Sequence, residues 1–434
     1  MQIRELTIDE YKDLLARTNT EYPSFITAEQ MDYMHAIGNE TLILAGYKNG
    51  KPVYALTALL RSALKLFHLA TTSREWIALV PGLSEEDEKD FIASVRKALK
   101  KRRVIFWTVE SGVEYHELAA DGSVREEGFH NETYRRHLQE IGFTPRALWE
   151  DGMWMGKQPR FVSILELSRN PRDGRYLENA ASQELLTWDE IMKKMSGNTR
   201  RAIKHGSQPW IRIADEGLAG IPVFLELARQ SGEIHGFETE GYAEKIENYI
   251  RAYGDQAHLY IARLDTDMYK DYLNKRQQEL LEQIEKAGKR PKKLFSLREE
   301  LASIEKQLEK AAAITETSIP LAGGFFFDTR YERIYQMSGS NRDYASFHAI
   351  YGILGHAIKE ALDEGKLRFN FLVISGRFDR SDPTYGVFEF KKNFGARPVE
   401  YCGDFSMKLF ALAGKLIEER LEKIGALTAP DPQF

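Results

Sequence analysis

The sequence predicts an α/β fold of two tandem modules, the second interrupted by a helical hairpin. Three observations predict it. Strand-like and helix-like segments alternate along the chain, and the order in the first half returns in the second. Between Met268 and Ala312 the pattern changes to two charged helices, with Leu294, Leu297, Leu301, Ile304, Leu308 and Ala311 at alternating steps of three and four. A length of 434 residues with 43% hydrophobic content suits two or three domains with real cores.

Taken in order, an opening helix precedes Glu40 to Tyr47 and Val53 to Leu60, two apolar runs joined by Asn49-Gly50 and therefore a β-hairpin. Trp76 to Val80 reads as a strand. A helix is expected from about Glu85 to Lys101, acidic in its first turn and basic in its last, as the helix dipole favours. Val104 to Val109 is a buried strand. A helix from Tyr134 stops at Gly142, and strands are expected at Ala147 to Met155 and Phe161 to Leu167. The second half presents strands at His258 to Arg263, Ile319 to Phe327 and Arg333 to Met337, a helix from Tyr344 to Glu364, and strands at Phe369 to Ile374 and Glu400 to Phe410. Phe390 to Pro398 echoes Leu138 to Pro145.

In the hairpin, Leu273, Leu280, Ile284 and Ala287 mark the first arm, and residues 288–292 supply a helix stop and a turn. At 1.5 Å per residue and roughly 20 residues per arm it projects ~30 Å. The expected domains are 1–158, then 159–265 with 314–434, and the arm at 266–313.

No apolar run approaches the roughly 20 residues of a membrane span, and the charged start MQIRELTIDEYKDLL lacks a signal-peptide core, so a cytoplasmic location is expected. The single cysteine, Cys402, excludes an internal disulfide and any cysteine-rich metal site, and it reads as a buried, inert thiol. The net charge of −5 argues against general nucleic-acid affinity, but positive charge gathers at residues 96–103, 193–204 and 289–293.

The order of elements in each half resembles the acetyltransferase (GNAT) fold. An acyl-CoA enzyme of that fold needs a Gly-rich pyrophosphate loop at a helix N-terminus. Ser338 to Tyr344 stands at that place with one glycine and an acid, so the acyl donor is expected not to be coenzyme A. The chain resembles the Fem (FemABX) family of peptidoglycan bridge-forming aminoacyltransferases, of the type bearing a coiled-coil arm. The likeness rests on Phe161 to Leu167, Trp188 to Lys204, Tyr335 to Ser340 and Phe388 to Gly395, where an aromatic-lysine pair precedes Phe-Gly. It implies two GNAT-like domains and transfer of an amino acid from aminoacyl-tRNA to the side-chain amine of the third residue of a cell-wall stem peptide. The precursor is lipid-linked or UDP-linked, the arm favouring the former, with no metal or organic cofactor and with peripheral contact at the inner membrane surface. The chain departs from the family where it has Phe25 to Met31 and His35 in place of a lysine that touches the precursor.

On that resemblance Lys391 is the leading catalytic candidate, stabilising the oxyanion or holding the phosphate near the tRNA 3′ end. Glu110 is placed to accept or orient a proton of the attacking amine. Arg200, Arg201 and Lys204 suit a pyrophosphate, Arg200 and Lys204 sharing a helical face. Tyr335, Ser338 and Phe390 are lining candidates, and Lys289, Arg290, Lys292 and Lys293 at the arm's tip are expected to contact tRNA. Two rivals are an acyl-CoA-dependent N-acyltransferase and a non-enzymatic tRNA- or partner-binding adaptor.

Overall fold

The computed structural model describes residues 1–63, 66–147, 158–169, 172–287, 291–410, 414–425 and 427. The first module runs β1 (Gln2–Glu5), α1 (Ile8–Arg17), α2 (Ala28–Ala36), β2 (Glu40–Lys48), β3 (Lys51–Ala63), β4 (Phe67–Thr72), β5 (Trp76–Ala78), α3 (Glu85–Lys101), β6 (Val104–Glu110), α4 (Glu132–Glu140) and β7 (Thr144–Pro145). The expected hairpin between β2 and β3 turns at Asn49 and Gly50, both at positive φ (52° and 77°), as a type I′ turn requires. Helix α3 starts at Ser84, whose side chain and that of Asp87 cap each other's backbone.

The second module follows as β8 (Phe161–Glu166), α5 (Trp188–Lys194), α6 (Gly197–Gly206), β9 (Ile211–Asp215), α7 (Ile221–His235), α8 (Tyr242–Tyr253), β10 (Ala257–Asp265), α9 (Thr266–Lys286), α10 (Pro291–Ala312), β11 (Ser318–Asp328), β12 (Glu332–Ser340), α11 (Ala349–Asp363), β13 (Arg368–Val373), α12 (Tyr385–Asn393), β14 (Arg397–Glu400), β15 (Asp404–Lys408) and α13 (Gly414–Lys423). Helix α11 begins later than the expected Tyr344, because residues 342–347 wind as a tighter turn and His348 takes a left-handed φ of 53° before the α-helix starts. Most of the expected strand at Ala147 to Met155 lies outside the described residues.

One strand of the second module crosses into the first sheet. The first has the order β1-β2-β3-β4-β6-β15-β7, with β5 on β3, and the second β14-β8-β13-β12-β11-β10-β9. Strand β8 lies in the second sheet between β13 and β14, while β15 leaves the second module and enters the first sheet between β6 and β7. Residues 404–408 were expected in the second domain, but their ladder partners are Phe106 to Glu110. Burial of Phe405 and Met407 with Trp107, Val109 and Phe143 supplies the physical reason, since the β15 side chains complete the first core.

Between the modules, ion pairs are withdrawn from water. Glu114 meets Arg397 at 2.7 Å and Arg368 at 3.3 Å, and Arg172 and Arg397 meet Glu166 at 2.9 and 3.0 Å. Burial pushes the Glu166 carboxyl up, but Arg368, Arg172 and Arg397 outweigh it and hold the group below the ordinary carboxylate range.

Helices α9 and α10 leave from the β10 and β11 strand ends and pack on each other. Leu273, Leu280 and Ala287 on one arm and Leu297, Ile304 and Ala311 on the other are buried at seven-residue spacing. Tyr269 donates from its hydroxyl to Gln307 at 2.9 Å across the base of the pair, and Arg276 reaches Glu300 at 2.6 Å further out. No described helix is long and apolar enough to cross a membrane.

Candidate active site

Strands β12 and β13 are parallel and pair only at Glu332↔Arg368, Arg333↔Phe369 and Ile334↔Asn370. Beyond those pairs the two strands part, and each is distorted. The register of β11 with β12 shifts between Phe325↔Met337 and Phe326↔Tyr335, so Gln336 is a bulged residue with no opposite number. On β13 the register with β8 shifts between Asn370 and Val373, Leu372 takes a φ of 58°, and its N–H donates to the Asn370 side chain at 2.8 Å. A left-handed φ on a branched, non-glycine residue costs energy and marks a conformation imposed by its surroundings.

The parted strands open a cavity of about 510 Å³ at the junction of the two modules. Tyr335 to Ser338 and Phe371 to Val373 form its floor, and Lys391 on α12 enters from one side. The first module contributes Phe25, Gln30, Tyr33 and Met34. Helix α8 supplies Tyr242, Lys245 and Tyr249, with Tyr33 stacked on Tyr249 at 4.0 Å between ring centres. Among these lining residues there are two lysines and no carboxylate.

Lys391 is only 6% exposed and donates to the carbonyl oxygen of Val373 at 2.7 Å. No carboxylate pairs with it among the described residues. Burial pushes its pKa down to about 7, so ammonium and free amine are both populated near neutral pH. Its neighbour Lys392 points elsewhere, over the ring of Phe388 at 5.8 Å. Tyr335 hydrogen-bonds through its hydroxyl to Ser338 and stacks on Phe326 at 5.3 Å. Burial pushes the Tyr335 phenol up to about 12, the Ser338 bond opposing, so the hydroxyl stays protonated.

The remaining sequence candidates separate from this group. Phe390 is absent from the cavity wall and packs edge-on against Tyr351 and Phe394, at 5.5 and 5.2 Å. A helix explains this, since consecutive residues of α12 cannot face the same way. Glu110 is also off the wall. It lies buried at the end of β6, an interior strand of the first sheet, accepting from the Ser73 hydroxyl at 2.9 Å and from the Gln158 N–H at 3.2 Å. Burial first, and Asp404 opposite it on β15 second, push its carboxyl up to about 7.

Arg200, Arg201 and Lys204 line a separate groove of about 790 Å³ beside α11, joined there by His356 and Lys359. Arg200 donates to the carbonyl oxygens of Met195 and Met192 at 3.0 and 3.3 Å, closing the end of α5, while Arg201 bonds to Asn198. Lys292 and Lys293 are exposed at the start of α10, and Lys289 and Arg290 lie outside the described residues.

Lys245, Tyr242 and Gln336 were not candidates on sequence grounds. Helices α7 and α8 carry no motif, and a bulge leaves no mark in a strand's apolar pattern. Cys402 is buried as expected, and burial keeps its thiol protonated. His116, His130 and Glu132 offer three metal-ligating atoms within 4.8 Å of one another, but none of them belongs to the cavity.

The chain matches a family model described as the FemAB family over residues 6–419. It is 24% identical over 418 residues to a Staphylococcus aureus protein named Aminoacyltransferase FemA, which covers 89% of this chain and 93% of that relative. Among solved structures, the crystal structure of FemX superposes with a TM-score of 0.75 at 17% identity, spanning 98% of this chain and 99% of the other, which is a likeness of fold.

Proposed function

The chain belongs to the FemAB family and is an aminoacyltransferase of the kind that builds peptidoglycan interpeptide bridges, and from that premise we propose its substrates and its chemistry. The donor is aminoacyl-tRNA. The acceptor is the side-chain amine of the stem-peptide diamino acid on a peptidoglycan precursor, the lipid-linked form being favoured.

Lys391 carries this reading. Aminolysis of an ester needs a neutral amine held against the carbonyl, a stabilised oxyanion, and a route for one proton. The amine attacks the ester carbon, the new C–N bond forms, and the bond from that carbon to the ribose oxygen breaks. The ammonium of Lys391 donates to the oxyanion and yields its proton to the leaving ribose oxygen. The free amine so formed takes the surplus proton from the new amide nitrogen, returning Lys391 to its starting state. A pKa of about 7 lets one group serve both halves of that cycle. The cavity also helps the nucleophile, because an apolar wall with two lysines and no carboxylate lowers the pKa of an incoming ammonium.

Tyr335 and Ser338 shape the floor on which the reacting groups sit. Glu110 reaches the cavity only through Gln158, so its part is to position that residue. The groove of Arg200, Arg201, Lys204, His356 and Lys359 suits a polyphosphate or the phosphate backbone near a tRNA end, and the arm's Lys292 and Lys293 suit the tRNA body.

The test is transfer of radiolabel from a pool of charged tRNAs to lipid-linked precursor, comparing the wild type with Lys391→Ala. Ribonuclease-sensitive labelling that the variant loses is expected. Absence of labelling with both lipid-linked and UDP-linked acceptors, from folded wild-type protein, overturns the reading.

A further inference from the structure

Away from the cavity, His116, His130 and Glu132 bring three metal-ligating atoms within 4.8 Å of one another. The chain between β6 and α4 doubles back on itself here, with single ladder bridges at His116↔His130 and Leu118↔Val124. Flanking residues make the hydrogen bonds of the first bridge: the Glu117 N–H donates to the Phe129 carbonyl at 3.0 Å and the Asn131 N–H to the Tyr115 carbonyl at 2.8 Å. His116 and His130 are therefore a non-hydrogen-bonded cross-strand pair, the kind whose side chains stand closer, and their ring centres lie 5.3 Å apart. Glu132 opens α4 two residues beyond His130, and its carboxylate meets His116 Nε2 at 2.8 Å.

The frame behind these side chains is fixed while the side chains themselves are reachable. Asn131, buried between two of them, donates from Nδ2 to the Glu114 and Asp173 carbonyls at 2.8 and 3.0 Å, and the Tyr115 N–H donates to the Glu400 carbonyl at 2.6 Å. His130 and Glu132 are exposed and His116 is half-buried. The Glu400 carboxylate lies 3.8 Å from His116 Nδ1, and a carboxylate on that side favours the N–H at Nδ1 and leaves the Nε2 lone pair turned toward Glu132. His130 Nε2 is 3.3 Å from the Glu126 carbonyl, a long contact that an exposed ring gives up by rotating.

A plain ion pair needs one imidazole and one carboxylate, and the second imidazole adds nothing to it. Two imidazoles with one carboxylate are instead a donor set for a borderline divalent ion, zinc above all, and a poor one for magnesium or calcium, which take oxygen. Tetrahedral bonds of about 2 Å set ligand atoms ~3.3 Å apart, so the His116–Glu132 contact need open by only roughly 0.5 Å as His130 swings in.

We propose that His116, His130 and Glu132 bind a zinc-class divalent cation that fastens the 114–132 segment. None of the three lines the cavity, so the ion's part is structural. It ties the outgoing strand of the segment to the returning one and to the start of α4, beside Glu114, whose carboxylate joins Arg368 and Arg397 of the second module.

The experiment titrates the full chain, freed of metal by chelator, with zinc chloride and separately with magnesium chloride, in a calorimeter, and compares the wild type with His130→Ala and Glu132→Gln. The wild type is expected to bind one equivalent of zinc in preference to magnesium, to melt a few degrees higher with zinc in excess, and to resist proteolysis within residues 117–129 when zinc is bound. Each variant is expected to weaken zinc about 100-fold or more, beyond what the loss of an outer partner causes, and to lose both protections. Cobalt(II) gives a second readout, the visible absorption of a tetrahedral ion, present in the wild type and lost in the variants. Both altered side chains are exposed, and two variants are used so that one failing to fold leaves the other to decide. Zinc held equally by the wild type and the variants is an adventitious ion on other histidines and overturns the assignment. A wild type that binds no zinc, or prefers magnesium, overturns it too. Binding lost in the variants without protection of residues 117–129 overturns the fastening role. None of these readouts uses aminoacyl transfer, so the outcome is independent of the reaction.

Discussion

In the first module the parallel strands β4 and β6 stay paired from His68↔Val104 to Thr72↔Val109, and Trp76, Trp107 and Phe143 pack together beside them. In the second, β12 and β13 part after Ile334↔Asn370 and a cavity opens where they separate. Each module ends with one ionisable group that burial has moved to about pKa 7, Glu110 in the closed module and Lys391 in the open one. A shifted pKa therefore does not identify the chemistry by itself. Access does: Lys391 faces the cavity, whereas Glu110 is covered by Ser73 and Gln158.

The largest effect that tests this contrast is on rate. Lys391→Ala is expected to lower kcat by about 100-fold or more with the fold intact, and Lys392→Ala by less than about threefold. Equal losses in the two variants would erase the distinction between the buried and the exposed lysine. The wild-type rate is expected to change slope near pH 7, where Lys391 titrates. Stability gives an independent reading of the same group. Its folded pKa of about 7 lies below the unfolded value of 10.5, so the unfolded chain binds more protons between those limits and stability rises with pH across them. Lys391→Met is thus expected to stabilise the protein at pH 7, by up to about 4 kcal/mol, and to flatten that rise in denaturant titrations.

Glu110 has the opposite sign. Its folded pKa of about 7 lies above the usual 4.5, so stability falls as pH rises from 4.5 to 7, and Glu110→Gln is expected to recover about 3 kcal/mol at pH 8. The variant keeps an acceptor for the Gln158 N–H, and its rate is expected to stay within about fivefold of the wild type. A 100-fold loss would bring the closed module into the chemistry.

How much of this was readable in advance depends on the kind of signal each part leaves. The β2–β3 hairpin announces itself through Asn49-Gly50, α3 through its charged ends, and the arm through heptad leucines, because each obeys a local rule. The crossing of β15 follows no local rule: a strand reads the same whichever sheet it joins, so residues 404–408 read as the end of the second domain. Lys391 was legible by its place before Phe394-Gly395, but Phe390 was given a lining role that the helical turn denies it. The bulge at Gln336 was silent, since a shift of register exists only in three dimensions.

A smaller effect separates the cavity from the cationic groove. Replacing Arg200 and Lys204 together by glutamate is expected to raise KM for the phosphate-bearing substrate about tenfold, to flatten its salt dependence, and to leave kcat near the wild-type value. Because Arg200 also closes α5 through Met192 and Met195, Lys204→Glu with Lys359→Glu is the control that spares that cap. A fall in kcat with unchanged KM would merge the groove with the open site.

The smallest effect is expected at the arm, which belongs to the open module in sequence but supplies no residue to its cavity wall. Lys292 and Lys293 are exposed at the beginning of α10, where positive charge opposes the helix dipole and gains nothing for folding. Their value, if it is for tRNA, is electrostatic and long-ranged, so reversing both to glutamate should weaken tRNA binding a few-fold and reduce the salt slope by about one for each phosphate no longer neutralised. Binding of the peptide acceptor should not change. The seam itself offers a second reading of the same element, because Leu281 and Phe295 lie on the arms' outer surface at 46% and 68% exposure. If charge reversal changes neither ligand while Phe295→Ser changes the sedimentation of the protein, the hairpin serves association between copies, and the tRNA must be held by the groove alone.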